Sequence, residues 1–384
     1  MHDVGRFVIF LGVVLGVWTL MHGYVAWRVW TLPWMASPAA HRVLLCALGF
    51  LWASYPLGRY LARGAGTQAA YPLELTGAAW MGVLFLTMVA LLAADVITGF
   101  GWLLPRIVVP LRTGALAVAL CLSMIALIQG LRSPVVRNQV VELPGLPREL
   151  NGTVVVQLSD MHLGTLLKER WMDGICRQVE ALHPDILVIT GDLVDGDVDH
   201  VKPLEPLLKR LQAPLGVWAV TGNHEFYAGL ERSVALFREC GFKVLQDSAE
   251  TVTPGLVMAG VDDLSARRQF RMDGDSVAKA LADRPPGAVI FLSHSPLKAE
   301  EASKLGVGLM LSGHTHAGQI WPFGALVRIW YPYLSGRYTV GAMSLLVCRG
   351  TGTWGPPMRL FKAGEILRIT LRSAPAQGGG APPP

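Results

Sequence analysis

Ile186-Leu187-Val188-Ile189-Thr190-Gly191-Asp192-Leu193-Val194-Asp195 is an unbroken apolar run that stops at a glycine and an aspartate. A short run rich in β-branched residues and closed by glycine reads as a strand buried on both faces, and such strands belong to sheets covered by helices. The aspartate then stands where the strand ends, the edge at which open α/β sheets place their ligands. The glycine lets the backbone turn sharply there.

Comparable runs lie at Thr153–Leu158, Val217–Thr221, Val257–Val261, Val289–Ser293 and Gly308–Ser312. Between them, helical patterns fill Lys168–Leu182, Leu204–Leu211, Leu230–Cys240 and Asp275–Ala282. Strands alternating with helices predict an α/β sandwich. Polar residues follow several strands: Asp160-Met161-His162, Gly191-Asp192, Gly222-Asn223-His224-Glu225, His294 and Gly313-His314-Thr315-His316. Carboxylate, imidazole and amide together suit Mn, Fe or Zn, whereas Ca or Mg would call for an all-oxygen cage. Any one of these histidines alone would be an ordinary hydrogen-bonded residue. Five such blocks, each after a strand, indicate a metal centre.

These residues resemble the calcineurin-like metallophosphoesterase superfamily, whose pattern is D-x-H, G-D-x-x-D, G-N-H-[DE], a lone His and G-H-x-H. The match covers about residues 153–372. The resemblance implies a four-layer αββα sandwich and two divalent metal ions, Mn first, with Fe or Zn as alternatives. It assigns one ion to Asp160, His162, Asp192 and His316, and the other to Asp192, Asn223, His294 and His314. Asp192 would bridge them, which is physically sound because cations about 3.5–4 Å apart need an anion between them. The resemblance leaves His224 as the catalytic group at the phosphoryl oxygen or leaving group, with Glu225 orienting it. Asp195 becomes a residue that hydrogen-bonds toward a ligand. The ending G-H-T-H-A-G-Q, followed by Arg349-Gly350, looks like the membrane-associated subgroup with YkuE-like and YaeI-like phosphodiesterases. Some relatives there hydrolyse UDP-2,3-diacylglucosamine. The implied reaction is in-line attack on phosphorus by hydroxide generated at the metals. His2, His22, His41, His183 and His200 lie outside the motifs, and Asp262-Asp263 reads as a solvated turn.

Composition separates the chain into two parts. Hydrophobic residues make up 52% of its 384 residues and charged residues only 16%, against about 25% charged in ordinary globular proteins. Residues 1–150 hold ten arginines, no lysine and five acids, while residues 151–384 hold 23 basic and 23 acidic residues. Since the basic excess is outside the part with the motifs, nucleic acid is not an expected partner. Four apolar stretches, about 7–27, 43–62, 77–97 and 107–130, approach the ~20 residues that cross a bilayer as a helix. Trp27, Trp30, Trp34, Tyr60 and Trp102 near their ends suit the interface. A transmembrane region 1–132, a connector 133–152, a catalytic domain 153–372 and a disordered tail 373–384 are therefore expected. Asp95, near the end of the third stretch, reads as snorkelling or capping.

With four spans the N-terminus and the catalytic part share a side. Arg6, Arg59, Arg63, Arg132, Arg137 and Arg148 flank that side against Arg28, Arg42, Arg106 and Arg112. The positive-inside rule then favours a cytoplasmic catalytic part in a bacterial-type inner membrane. Tethering favours a lipid-linked phosphoester substrate, such as a UDP-diacylglucosamine-type molecule, and membrane lipids as partners. A soluble phosphoester is the alternative, and a metal-binding scaffold without turnover is the reading from outside the enzymes. The five cysteines show no CxxC spacing, so no disulfide framework is expected.

Overall fold

The computed structural model describes residues 2–62 and 70–374. They form two compact units, one gathering the residues up to Leu131 with Gly355–Phe361, the other Arg132–Trp354 and the residues from Lys362 on.

The first unit is four long helices: α1 His2–Trp30, α2 Pro38–Ala62, α3 Ala70–Ile97 and α4 Val108–Gly130. They coincide with the four apolar stretches. Among the described residues two of them, α3 and α4, are long and apolar enough to cross a membrane, whereas α2 carries His41, Arg42 and Arg59 within its length. Small residues let these helices meet closely, since a Cβ on Gly77 would stand 2.3 Å from Tyr55 N. Arg63 and the tail beyond residue 374 lie outside the described residues.

Asp95 corrects its expected role. It neither snorkels nor caps but is fully buried. Arg28 Nε of α1 lies 2.5 Å from Asp95 Oδ2, Arg112 Nη2 of α4 lies 2.7 Å from Oδ1, and Tyr24 Oη donates to Oδ2 at 2.7 Å. Burying a carboxylate demands such partners, and here α1 and α4 supply them to α3.

The second unit is an α/β fold with two sheets. Its elements in chain order are β1 Val135–Leu143, β2 Val154–Leu158, α5 Glu169–Ala181, β3 Ile186–Thr190, α6 Glu205–Leu208, β4 Val217–Val220, α7 Asn223–Ala228, α8 Leu230–Glu239, β5 Lys243–Val244 and β6 Ser248–Thr253. They continue through β7 Gly255–Gly260, α9 Leu264–Gln269, α10 Ser276–Ala282, β8 Gly287–Leu292, α11 Ala299–Lys304, β9 Leu309–Ser312, α12 Gly324–Trp330, β10 Gly336–Val340, β11 Met343–Val347 and β12 Glu365–Ser373. One sheet runs β1-β12-β2-β3-β4-β5, the other β10-β11-β9-β8-β7-β6.

Side chains alternate across each strand and sort into three cores. Val155, Val188 and Val220 meet Met258, Ile290 and Leu311 between the sheets. Val156, Leu187 and Ile189 pack outward on Met172, Ile175 and Phe237 of α5 and α8. Val257, Val289 and Phe291 do so on Val277, Leu281 and Ala302 of α10 and α11. The layers are therefore helix, sheet, sheet, helix. Residues 135–143, expected as connector, instead form β1, paired in parallel with β12 from Val135↔Glu365 to Leu143↔Ser373. The helical pattern at 204–211 yields an α-helix only over 205–208.

Register places the chemistry. Parallel pairing of β2 with β3 (Leu158↔Ile189) and of β3 with β4 (Thr190↔Val220) ends all three strands at one edge. Leu292↔Leu311 does the same for β8 and β9. The residues that follow these five strands are the polar blocks.

Candidate metal centre

Asp160, His162 and His316 form one group of candidate ligands, and Asp192, His294 and His314 another, with a third made of His162, Asp192 and His224. Asp192 Oδ2 lies 3.1 Å from His294 Nε2 and 3.7 Å from His162 Nε2. One carboxylate oxygen thus reaches ligand atoms of both outer groups. Imidazole nitrogens face each other in each: His162 Nε2 and His316 Nε2 at 3.1 Å, His294 Nε2 and His314 Nδ1 at 3.2 Å. His316 Nε2 is 3.4 Å from Asp160 Oδ1.

Backbone strain and close packing bring these atoms together. Asp160, His162, Asp192, His314 and His316 all have φ between 47° and 71°, a left-handed region that costs a non-glycine residue about 1 kcal/mol or more. The neighbouring glycines serve close approach. A Cβ on Gly222 would stand 2.2 Å from Asp192 Oδ1, and one on Gly313 would stand 1.9 Å from Ser159 Oγ and 2.3 Å from Asp160 Oδ2.

Hydrogen bonds then fix each group. His294 Nδ1 meets Thr190 O at 2.7 Å, which leaves Nε2 for Asp192. The His314 amide donates to both oxygens of Asp160, at 3.0 and 3.1 Å, and Ser159 Oγ donates to Oδ2. Asp192 Oδ1 accepts from the His224 amide at 2.9 Å.

Charge follows from burial and neighbours. Burial alone would raise the Asp192 carboxyl, but the charges of His294 and His224 outweigh it and hold the carboxyl well below the usual range. Burial also raises Asp160, and His316 again reverses the sign. His162 falls to about 3 through burial and then the charge of His224, and His314 falls through burial and His294. Two ionised carboxylates therefore face imidazoles of which these two are neutral at pH 7, with lone pairs free to ligate. Asn223 Oδ1 and His162 Nδ1 are buried without a hydrogen-bond partner among the described residues. An orphaned amide oxygen among such donors is what a metal ligand leaves when only protein atoms are counted, so the residues present fit metal ions.

The expected catalytic pair divides. His224 Nδ1 is held at 3.0 Å by Asp195 Oδ1. Burial lowers His224, but Asp192 and then Asp195 raise it to about 9. Glu225 is engaged elsewhere: Oε2 accepts from the amides of Gly222 at 2.6 Å and Asp192 at 2.9 Å, and Oε1 from Val194 at 2.9 Å. Asp195 rather than Glu225 therefore contacts the His224 ring, and Glu225 ties the Asp192 loop to the Asn223 loop. Burial and the charge of Asp192 push Glu225 up to about 7, against the pull of the Val194 and Gly222 amides.

Two further neighbours, Tyr331 and Trp354, carry no role in the sequence reading, and a third, Asp263, reads there as part of a solvated turn. Tyr331 Oη lies 2.7 Å from His314 Nε2. Trp354 places its ring 5.8 Å from that of His224. Asp263 is fully buried, caps α9 through the Ala266 amide at 2.7 Å, and leaves Oδ2 without a hydrogen-bond partner among the described residues. Asp262 is buried too, accepting from Thr221 Oγ1 at 2.7 Å. The pair is therefore no solvated turn.

Residues 153–318 match the calcineurin-like phosphoesterase family. A metallophosphoesterase of Aquifex aeolicus is 37% identical over 242 residues, covering 62% of this chain and 91% of that one. The chain belongs to the calcineurin-like metallophosphoesterases. This is a family of metal-dependent phosphoester hydrolases. Metallophosphoesterase YkuE of Bacillus subtilis is 32% identical over 240 residues, 59% of this chain and 82% of its own. A transmembrane protein with metallophosphoesterase domain from Danio rerio is 34% identical over 272 residues, 68% of this chain, and the chain spans 62% of its length.

Proposed function

We propose that this metallophosphoesterase is a membrane-anchored enzyme with two metal ions that hydrolyses a phosphodiester or pyrophosphate, on a lipid-linked substrate. The observation that carries the metal assignment is Asp192 Oδ2, one oxygen within reach of ligand atoms in both histidine groups. Asp160, His162, Asp192 and His316 would hold one ion, and Asp192, Asn223, His294 and His314 the other. Bound there, the metals supply Lewis-acid activation of the phosphoryl oxygen and of the attacking water. His224, fixed through Nδ1 by Asp195 and carrying a proton, presents Nε2 to the phosphoryl group or leaving oxygen. Ca and Mg fit this imidazole-rich set poorly, which favours Mn, Fe or Zn.

Four spanning helices and a cytoplasmic catalytic unit complete the reading. The test is hydrolysis of bis-p-nitrophenyl phosphate by the full chain loaded with Mn, before and after chelation, beside a lipid-linked and a soluble natural phosphodiester in detergent. Chelation is expected to abolish turnover. Bound metal without turnover would favour a scaffold, and equal rates on both natural substrates would remove the lipid preference.

A further inference from the structure

Fourteen residues after His316, the chain reaches the most exposed aromatic of a projecting segment, Trp330. That segment includes α12, which buries none of its side chains. Trp321, Phe323, Leu326, Ile329 and Trp330 are all exposed, Ile329 to 71% and Trp330 to 78%. Singly such residues are normal, but five within ten positions make a patch that water does not stabilise.

The segment is held at both ends. Thr315 Oγ1 donates to Leu334 O at 2.5 Å, closing the loop at its base. Ala325 N donates to Pro322 O at 3.0 Å within it. Directly after α12, Tyr331 Oη meets the candidate ligand His314. Its charge is one-sided as well: no acid occurs between Glu301 and Glu365, while Arg328 and Arg337 fall within or just after it.

We infer that residues 321–330 are a docking surface for a lipid bilayer with anionic headgroups. Tryptophan and phenylalanine rings favour the interface, aliphatic side chains enter the acyl boundary, and an exposed arginine such as Arg328 pairs with phosphate. A protein groove would take the apolar face equally well, but exposed Arg328, within a segment that itself carries no acid, favours anionic lipid. The inference rests on the anchored reading above, in which a bilayer is always within tether reach, because β1 begins at Val135 soon after α4 ends at Gly130. It adds that the residue next to the docking helix touches a candidate metal ligand, so contact with lipid is built into the edge of the site.

The test uses the full chain in nanodiscs of phosphatidylcholine and phosphatidylglycerol. A fluorophore is placed on Ile329→Cys, in a background with the exposed Cys46 and Cys121 changed to Ser, and in a second sample on Glu231→Cys in α8. Spin-labelled lipid should quench the label at 329 several-fold more than that at 231, and the label at 329 should be the better shielded from aqueous iodide. Equal lipid quenching at the two positions, or shielding from both quenchers as a second copy or another protein would give, overturns the inference. Loss of phosphoesterase activity leaves this readout unchanged. If the chain fails to enter nanodiscs, the anchored reading fails instead, and the same label with added vesicles still reports docking.

Discussion

Glu225→Gln separates positioning from chemistry. The carboxylate accepts three backbone N–H groups in a fully buried place. Glutamine can keep its carbonyl where Oε2 accepts from Gly222 and Asp192, but its NH2 must then face the Val194 amide, donor against donor. One buried N–H loses its acceptor, at about 1–3 kcal/mol. Above about pH 8, where Glu225, pushed up to about 7, is ionised, the two bonds that remain are no longer charge-assisted and keep roughly half their strength. The sum is about 2–4 kcal/mol. Because the amides belong to the Asp192 and Asn223 loops, part of the loss should appear as metal affinity weakened about 10–100-fold. Thermal unfolding after chelation reads the first quantity, calorimetric metal titration the second, and turnover at saturating Mn should stay near wild type. A variant of unchanged stability and metal affinity that has lost turnover by about 100-fold, the scale of a missing acid–base group, would refute this, since Glu225 would then act on the substrate.

Asp95→Asn leaves Arg28 and Arg112 without their shared anion inside the helical unit, so about 3–5 kcal/mol should be lost, read as earlier unfolding in detergent; an unchanged transition would make the cluster incidental. Tyr331→Phe removes the hydroxyl at His314 Nε2 and is expected to weaken one metal equivalent about tenfold in the same calorimetry while the other is unaffected. Gly313→Ala must push Ser159 and Asp160 apart and should lower both stability and metal content, measured by unfolding and elemental analysis. Gly174→Ala in α5 meets nothing within 4 Å and should stabilise by about 0.5–1 kcal/mol, which makes it the control.

The inner strands were legible because they are buried on both faces: β3 is apolar from Ile186 to Ile189, and its ends were placed correctly. The metal blocks followed, since each is attached to such a strand. What stayed hidden is the edge strand β1 and β12 beside it. β1 interrupts its valines with Arg137, Asn138 and Gln139 because that part of the strand faces solvent, and β12 alternates Ile366, Ile369 and Leu371 with Arg368 and Arg372. Neither reads as a buried run. Asp195 and Glu225 exchanged roles for a related reason. Sequence adjacency put Glu225 next to His224, whereas the turn after Gly222 aims its side chain at amides of another loop. Tyr331 and Asp263 reach the site only through tertiary packing, which no spacing reveals.

The Asp95 cluster also sets an order of assembly. On the proposed four-span reading, Arg28 is made long before its anion, so α1 would enter the lipid with a bare guanidinium or wait near the headgroups. Asp95 arrives with α3, and Arg112 opens α4 only afterwards. The neutralised arrangement therefore completes when the last helix emerges, and a nascent chain cut before α4 should be held by insertion machinery rather than released.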